Sequence, residues 1–448
     1  MTSTGKNPPG LAARRAAAAI AGRVMHGDDT LTEALGREAR RLDALAPRDR
    51  ALAINIARTT LRRRGQLEAI LARLMRKPLP ARARHAQAVL MSAAAQLLFM
   101  RVPAHAAIDA AVRLVKNDRG SRHLSGLVNA LLRNVARRRD VLLEEAPPEL
   151  NIPRWLRDNW RAAWGKEQLA AMIDALMHEP RLDLTLKAPP GAEHWAAAFT
   201  SSGAAASATV LPTGSLRLEA PAPVPSLPGY GEGAWWPQDA AAAIPARLLG
   251  DVAGLNVLDL CAAPGGKTAQ LAAAGAKVTA LDLSRKRLER LRENLARLGL
   301  DAAIINADML EWAPDAPFDA VLLDAPCTAT GTARRHPEVL WRKTPEQMAE
   351  LARLQARMLD RAASFVRPGG LLVYCVCSLQ PQEGETQARA FLERHGDAFA
   401  RLPVKPREVG GLAHLVNEHG DYRALPHMDL AVSKRLDGFF AARFRRSD

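Results

Sequence analysis

Residues 255–268 read LNVLDLCAAPGGKT, an apolar run that leads into a loop with two adjacent glycines. The apolar run Leu255–Leu260 predicts a buried β-strand, and residues 267–274 after the loop predict a helix. A strand joined through a glycine loop to a helix is typical of an α/β sheet that binds a nucleotide-like ligand at the loop. This stretch therefore indicates the fold class of the second half of the chain.

The same alternation of strands and helices continues from residue 236 towards the C-terminus. Further apolar strands are predicted near 278–283, 303–306, 320–324 and 371–377, with helices near 285–298, 345–365 and 385–395. Apolar strands separated by helices predict a doubly wound (Rossmann-like) α/β domain with a parallel sheet. Such sheets bind ligands at the carboxyl ends of their strands, so the residues that follow the strands are the candidates for function.

Three kinds of nucleotide loop compete for residues 261–268. A phosphate-binding P-loop needs Gly-x-x-x-x-Gly-Lys-Thr, but its first glycine would fall at Cys261. The Gly-x-Gly-x-x-Gly fingerprint of dinucleotide-binding folds is missing from the sequence as well. The third candidate is a loop for S-adenosylmethionine. Its glycines let the backbone approach the methionine moiety, while the N-terminus of the next helix faces the carboxylate.

Aspartates at the ends of successive predicted strands favour the S-adenosylmethionine loop. Asp282 ends the second strand, where a carboxylate can accept from both ribose hydroxyls. Asp308 follows the third strand and can accept from the adenine amino group, and Asp324 ends the fourth. One aspartate at a strand end is usually a turn or cap residue, whereas three at consecutive strands indicate a shared ligand.

Two cysteines also follow predicted strands. Cys327 lies in DAPCT at residues 324–328, and Cys377 lies in YCVCS at residues 374–378. An isolated cysteine on a strand is by default a small buried hydrophobe, but a thiolate can also be a covalent nucleophile. Cys375 shares a strand face with Cys377, but no second Cys or His pair follows at ligand spacing, so no metal site is expected.

These motifs together resemble those of the RNA cytosine-5 methyltransferases of the bacterial Sun/Fmu (RsmB/NOP) type. The match rests on residues 259–268, 324–338 and 374–378. Residues 102–111 and 126–133 resemble the NusB-like RNA-binding domain with which this family begins. The resemblance covers nearly the whole chain. It implies S-adenosylmethionine as cofactor and RNA, most directly 16S ribosomal RNA, as partner.

The resemblance also implies roles for individual residues. Chemistry alone leaves the attacking thiol ambiguous, since DNA cytosine-5 methyltransferases use the cysteine of their Pro-Cys motif, here Cys327. In the RNA family, Cys377 would attack carbon 6 of cytosine, Cys327 would assist product release, and Asp324 would stabilise the ring at nitrogen 3. Val376 departs from the usual threonine before the nucleophile. The cofactor-binding residues implied are Cys261, Ala262, Ala263, Pro264, Gly265, Gly266, Lys267, Asp282, Asp308 and Asp324.

The positive charge of the chain lies at its N-terminal end. Residues 1–140 hold 27 Lys and Arg against 10 Asp and Glu, a net charge of +17, while the remainder carries −2. This segment predicts an all-α domain of six or seven helices, and the apolar stripe Leu124, Leu127, Val128, Leu131, Leu132 and Val135 marks one of them. Gly65 and Gly120 are expected to end helices. Excess positive charge confined to one domain predicts a polyanionic partner.

The sequence therefore predicts three domains: a NusB-like all-α domain at 1–145, a linking subdomain at 146–235 and a methyltransferase domain at 236–448. For the Pro-, Gly- and Ala-rich stretch 188–233, a linker and a small α/β subdomain remain equal alternatives. Four cysteines in 448 residues fit a reducing cytosol, and no apolar run approaches the ~18 residues of a membrane span. We expect a cytoplasmic monomer, without membrane or metal, that methylates carbon 5 of a cytosine in 16S rRNA. The alternatives are a tRNA methyltransferase and a non-catalytic RNA-binding or assembly factor.

Overall fold

A computed structural model describes residues 10–187 and 191–448. The chain forms two compact units. Of the described residues, the first unit contains those up to Asp158 together with Arg334–Arg342, and the second contains those from Asn159 to Ala333 and from Lys343 to Asp448. A segment from the second half of the sequence thus belongs to the first unit. The division into domains at residues 145/146 and 235/236 stays a prediction.

The first unit is helical, as its sequence predicts. Among its described residues there are nine α-helices rather than six or seven, because three of them have only five to seven residues and are too short to show a clear period. The helices are α1 Leu11–His26, α2 Leu31–Arg37, α3 Ala39–Asp43, α4 Pro47–Arg62, α5 Arg64–Leu74, α6 Arg84–Phe99, α7 Ala104–Lys116, α8 Ser125–Arg137 and α9 Arg139–Glu145.

Burial follows the apolar stripes of these helices. Helix α8 buries Val128, Leu131, Leu132 and Val135, while Leu127 remains 42% exposed. Gly65 does not end a helix but lies at the start of α5, which corrects the prediction for this residue. A Cβ atom at Gly65 would lie 1.7 Å from the carbonyl oxygen of Leu150, so the glycine permits a close backbone approach.

Helix α10 (Arg154–Leu176) breaks at Gly165, whose φ of +80° is left-handed. It is followed by a small antiparallel sheet of order β2-β3-β1-β4 with helix α11 (Ala192–Ser201) against it. The strands are β1 Leu182–Leu186, β2 Ser207–Val210, β3 Leu216–Glu219 and β4 Trp235–Pro237. The described part of the stretch 188–233 is therefore a small α/β subdomain and not a linker; residues 188–190 lie outside the described residues.

The large sheet has the predicted alternation with helices. Its order is β10-β12-β9-β8-β5-β6-β7, with β11 paired to β12. Its strands are β5 Asn256–Leu260, β6 Lys277–Asp282, β7 Ala303–Asn306, β8 Phe318–Asp324, β9 Val366–Val376, β10 Phe399–Arg401, β11 Tyr422–Ala424 and β12 Phe439–Arg446. The helices are α12 Ile244–Arg247, α13 Gly266–Ala273, α14 Arg285–Leu298, α15 Pro345–Ser364 and α16 Glu385–His395.

Strand direction confirms the Rossmann-like fold and adds one feature to it. Strands β9, β8, β5, β6 and β7 are parallel, whereas β12 pairs antiparallel with β9, and β10 and β11 each pair antiparallel with β12. The sheet is thus mixed and not purely parallel. Chain order reverses between β5 and β8, so the crevice at their carboxyl ends is the topological switch point at which such sheets bind ligands.

Candidate active site

The glycine loop lies at this switch point, between β5 and α13. It begins at Cys261, whose φ is +60°, and reaches Gly265, whose φ is +102°. A Cβ atom at Gly265 would lie 2.9 Å from Cγ of Leu291, so this position requires glycine for both conformation and space. The helix that follows has unpaired N–H groups in its first turn, as every helix does, and these face the loop.

Asp282 fastens this loop to the end of the second parallel strand. Its Oδ2 atom accepts a hydrogen bond from the N–H of Ala263 at 3.1 Å, and its Oδ1 atom accepts one from the N–H of Ser284 at 2.8 Å. The residue is 3% exposed. Sequence reasoning placed Asp282 at the cofactor, and the structure adds that its carboxylate holds the shape of the loop.

Asp308 lies on the exposed side of the same edge. Its Oδ1 atom accepts from the N–H of Leu310 at 2.9 Å. Asn306, at the end of β7, donates to the carbonyl oxygens of Asp282 and Leu283 and so ties the ends of β6 and β7 together.

Leu283 is 70% exposed, and sequence reasoning missed it. Its position directly after the predicted ligand Asp282 was the available signal.

A buried polar group connects the loop to the strand below it. Asp259 in β5 is fully buried, and its Oδ2 atom accepts from the hydroxyl of Thr268 at 2.6 Å. Burial raises the pKa of Asp259 to about 7, although the Thr268 hydrogen bond and the charge of Lys267 act to lower it. Asp259 therefore titrates near neutral pH inside the fold.

Lys267 and Asp324 form an ion pair across the switch point. The Nζ atom of Lys267 lies 2.7 Å from Oδ2 of Asp324 and 4.8 Å from the centre of the Phe439 ring. Burial acts to lower the pKa of Lys267, but the Asp324 carboxylate and the other acidic groups nearby raise it overall. The lysine is thus charged and holds a carboxylate whose side chain is 31% exposed to the crevice.

The structure brings together the two cysteines predicted for catalysis. The Sγ atoms of Cys327 and Cys377 lie 3.5 Å apart, although 50 residues separate them in sequence. Both residues are partly exposed. The hydrogen bond with Cys377, together with burial, raises the pKa of the Cys327 thiol well above its ordinary value. Cys327 is therefore a protonated thiol that can donate a hydrogen bond to its neighbour.

The other two cysteines are less suited to react. Cys375 is buried, its Sγ atom lies 3.6 Å from Oδ1 of Asp324, and burial raises its pKa well above the ordinary value. Burial also raises the pKa of Cys261. Because the thiolate is the reactive form, both residues remain inert thiols at neutral pH.

Sequence reasoning missed Glu383, which lies in a 3₁₀ turn before α16 and is fully buried. It accepts hydrogen bonds from Thr328 and Ser378, the residues that directly follow Cys327 and Cys377. An acidic residue five positions after a Cys-Ser pair was a weak signal, because isolated glutamates usually lie on the surface.

The described ranges contain no candidate for a metal centre. Among these residues no group of three or more His, Cys, Asp or Glu could hold a metal ion. In the same ranges, no helix is both long and apolar enough to cross a membrane.

Comparisons with known proteins identify the two halves of the chain. Residues 247–445 match the family model described as 16S rRNA methyltransferase RsmB/F, and residues 11–137 match the NusB family. Ribosomal RNA small subunit methyltransferase B of Pseudomonas syringae pv. tomato is 38% identical over 97% of this chain and 96% of its own length. The protein of that name from Erwinia tasmaniensis is 37% identical over 79% of this chain and 84% of its own length.

Solved structures agree on the fold. PH0851 matches 98% of this chain and 99% of its own with a TM-score of 0.79 and 22% identity. A methyltransferase homolog from Pyrococcus horikoshii matches 65% of this chain and 95% of its own with a TM-score of 0.54 and 26% identity.

The predicted resemblance to the Sun/Fmu type, the NusB-like front and the assignment as a methyltransferase are all confirmed. The chain therefore belongs to the RsmB/F family of ribosomal RNA methyltransferases.

Proposed function

We propose that this enzyme transfers a methyl group from S-adenosylmethionine to carbon 5 of a cytosine in 16S rRNA through a covalent Cys377–cytosine intermediate. The observation that carries the proposal is the pair of thiols 3.5 Å apart at the carboxyl ends of adjacent strands that also carry the Asp324 carboxylate. The substrate class comes from the relatives, which are named as small subunit ribosomal RNA methyltransferases.

The residues at the switch point fit S-adenosylmethionine. The exposed carboxylate of Asp308 and the exposed side chain of Leu283 offer an acceptor and an apolar face to adenosine. The first-turn N–H groups of α13 suit the methionine carboxylate. When bound, the cofactor supplies the electrophilic methyl group that carbon 5 takes up. The residues that we propose to hold it are Cys261, Ala262, Ala263, Pro264, Gly265, Gly266, Lys267, Asp282, Asp308 and Asp324.

Attack by Cys377 is the first step of the proposed reaction. After its thiol proton has passed to water, the Cys377 sulfur adds to carbon 6 of cytosine, and the electron pair of the double bond between carbons 5 and 6 makes carbon 5 nucleophilic. The raised pKa of Cys327 supports this choice, because a thiol that keeps its proton is a poor attacker but a good hydrogen-bond donor to a neighbouring sulfur.

Asp324 would support this step at the cytosine edge: as negative charge moves onto nitrogen 3, that nitrogen takes up a proton from water, and the Asp324 carboxylate accepts a hydrogen bond from the N–H so formed. Lys267 holds the Oδ2 atom, and the Oδ1 atom, which lies 3.6 Å from the Cys375 sulfur, has a second lone pair that can accept from the substrate. A carboxylate fixed before the substrate binds needs no reorganisation during the reaction.

Release completes the proposed cycle. After carbon 5 has received the methyl group, it loses its proton to water, the double bond forms again and the bond between sulfur and carbon 6 breaks. Cys327 lies beside the leaving sulfur and would assist this step by donating its thiol hydrogen bond to that sulfur as negative charge develops on it. Its position within hydrogen-bond distance of Cys377 supports the assignment to release.

The helical first unit would capture the RNA. Its net charge of +17 over residues 1–140 suits contacts with phosphates, and its match to the NusB family supports an RNA partner. Phe99 is the sole aromatic residue before Trp155 in the sequence, so base stacking contributes little there. We propose recognition of RNA shape and backbone by a monomer in the cytoplasm.

Bisulfite mapping of total RNA from a strain that lacks this gene tests the function. We expect one cytosine of 16S rRNA to lose its methyl group in the deletion strain and to regain it when the gene is restored. Loss of a tRNA methyl group instead would identify a tRNA methyltransferase. An unchanged RNA methylation pattern would indicate a non-catalytic RNA-binding or assembly factor.

A further inference from the structure

We propose that Glu383 is a positioning residue that holds the two thiols in register for attack and release. This inference rests on the proposed function and assigns part of the same site. It starts from the fact that neither cysteine lies inside a regular strand: β8 ends at Asp324 and β9 ends at Val376. The geometry of the thiol pair must therefore come from the loops that follow the strands.

The Glu383 carboxylate joins these two loops. Its Oε1 atom accepts from the N–H of Thr328 at 2.9 Å and from Nε2 of Gln355 at 3.0 Å. Its Oε2 atom accepts from the hydroxyls of Thr328 at 2.5 Å and Ser378 at 2.6 Å. Four donors thus converge on one carboxylate, two on each oxygen. A carboxylate is the side chain that can accept all four, because both of its oxygens are acceptors.

The rest of the surroundings makes this connection rigid. The hydroxyl of Tyr374 donates to the carbonyl oxygen of Glu383 at 2.6 Å, which fixes the backbone of the turn. The N–H of Gly331 donates to the carbonyl oxygen of Cys377 at 3.0 Å. A Cβ atom at Gly331 would lie 2.0 Å from the carbonyl oxygen of Gly438, so the loop after Cys327 is packed tightly against its neighbours. Glu383 itself is fully buried and is not exposed to the crevice.

The contact of Glu383 with Ser378 and its contacts with Thr328 should affect different steps of the reaction. Ser378 adjoins the proposed nucleophile, so its hydroxyl contact bears on the attack of Cys377. Thr328 adjoins the proposed release residue, so its contacts bear on the expulsion of the thiol with the help of Cys327. Glu383 should affect both attack and release, because it accepts hydrogen bonds from both Ser378 and Thr328. A displacement of about 1 Å at a reacting group can cost about 100-fold in rate, which sets the size of the expected effect.

Glu383→Gln tests the inference with almost no change in volume. The amide nitrogen of the glutamine would replace one acceptor oxygen and face its two donors, so the hydrogen bonds that this oxygen accepts must be lost. We expect single-turnover methylation of RNA from the deletion strain to slow by about 100-fold, while the dissociation constants for RNA and S-adenosylmethionine stay near those of the wild type. The matched control is Glu393→Gln on α16, whose side chain is 68% exposed and should leave the rate unchanged. A wild-type rate in Glu383→Gln would overturn the inference.

The neighbouring hydroxyls provide a test that does not depend on the folding of Glu383→Gln. Thr328→Val should accumulate a denaturant-stable protein–RNA adduct on natural RNA, because release is slowed after attack. Ser378→Ala should accumulate no adduct and should slow adduct formation when combined with Cys327→Ala. A merely structural role would lower the amount of folded enzyme in both variants without dividing the two steps. Identical partition between adduct and product in both variants would contradict the inference.

Failure of the proposed function gives a different result. If Cys327→Ala forms no adduct at all, the covalent mechanism is wrong whatever Glu383 does. If Cys327→Ala forms the adduct but Glu383→Gln, Thr328→Val and Ser378→Ala behave as the wild type, the mechanism stands and the positioning role of Glu383 falls.

Discussion

Lys267 provides the sharpest test of how the cofactor loop and the catalytic carboxylate work together. It is the last residue of the proposed cofactor loop and also donates to Asp324 at 2.7 Å. Lys267→Met keeps the apolar stem of the side chain at a similar length but removes its charge. We expect Asp324 to lose its fixed orientation, since the ammonium group holds one of its oxygens.

The magnitude follows from the exposure of the pair. A hydrogen bond to a charged group contributes about 1.5–3 kcal/mol. The side chain of Asp324 is 31% exposed, so water can replace part of the ammonium's hydrogen bond, and the lower end of that range applies. A reduction of about 1.5–2 kcal/mol in transition-state stabilisation corresponds to a roughly 10- to 30-fold lower rate.

Single-turnover methylation at saturating cofactor and RNA measures this reduction, with calorimetry of S-adenosylmethionine binding measured in parallel. Lys277→Met removes an exposed lysine at the start of β6 and serves as the matched control. A wild-type single-turnover rate in Lys267→Met would refute the role of the ion pair in the reaction. A rate lowered only through weaker cofactor binding, and restored at saturation, would confine Lys267 to the cofactor.

Three further predictions concern the cofactor, the core and the RNA. Asp282→Ala should raise the dissociation constant of S-adenosylmethionine about 10- to 100-fold in calorimetry, because it removes charge-assisted hydrogen bonds of about 1.5–3 kcal/mol; wild-type affinity would argue against the site. Burial raises the pKa of Asp259 to about 7, so the folded state keeps a proton that the unfolded state has released. The free energy of unfolding of the wild type, measured in urea, should therefore decrease as the pH rises from about 4 to about 7. Asp259→Asn should lack this decrease, and parallel pH profiles of the two proteins would contradict the prediction. Replacing the exposed Arg133, Arg137 and Arg138 by Gln should reduce the slope of log K for RNA against log salt by up to ~0.9 for each phosphate that these arginines neutralise, and an unchanged slope would show that they do not bind RNA.

The sequence was most informative about the large sheet, for a physical reason. Buried parallel strands must be apolar throughout, and their loops need glycine and aspartate, so both leave strong local signals. The predicted strand near 255–260 and the helix 285–298 agree with β5 and α14 to within one residue. Because parallel strands end at one edge, sequence position alone indicated that Asp282, Asp308, Asp324 and the cysteines would meet.

Features that depend on residues distant in sequence were not predictable in this way. Gly65 was expected to end a helix. Its actual role could not be predicted, because a close backbone approach to Leu150 leaves no local pattern in the sequence. The antiparallel strand β12 joins the sheet beside β9 from far along the chain. The four donors that meet at Glu383 come from three separate segments, and no spacing rule indicates such a cluster.

The same limit applies to residues 334–342. Sequence reasoning treated their first half as part of the methyltransferase motif, whereas in the structure they belong to the helical first unit. There, Glu338 accepts from the N–H of Leu31 at 2.8 Å, and the guanidinium of Arg64 lies 4.9 Å from the centre of the Trp341 ring. Both interactions join residues about 300 positions apart in sequence, which no local pattern encodes.

A denaturing gel of the cysteine variants with substrate RNA separates attack by Cys377 from release by Cys327. Cys327→Ala should still attack and methylate but should stall, which gives a slowly migrating protein–RNA band. Cys377→Ala should give no band and no product, and the double variant should give none either, because attack precedes release. A band in Cys377→Ala but not in Cys327→Ala would rule out Cys377 as the nucleophile and assign the attack to Cys327.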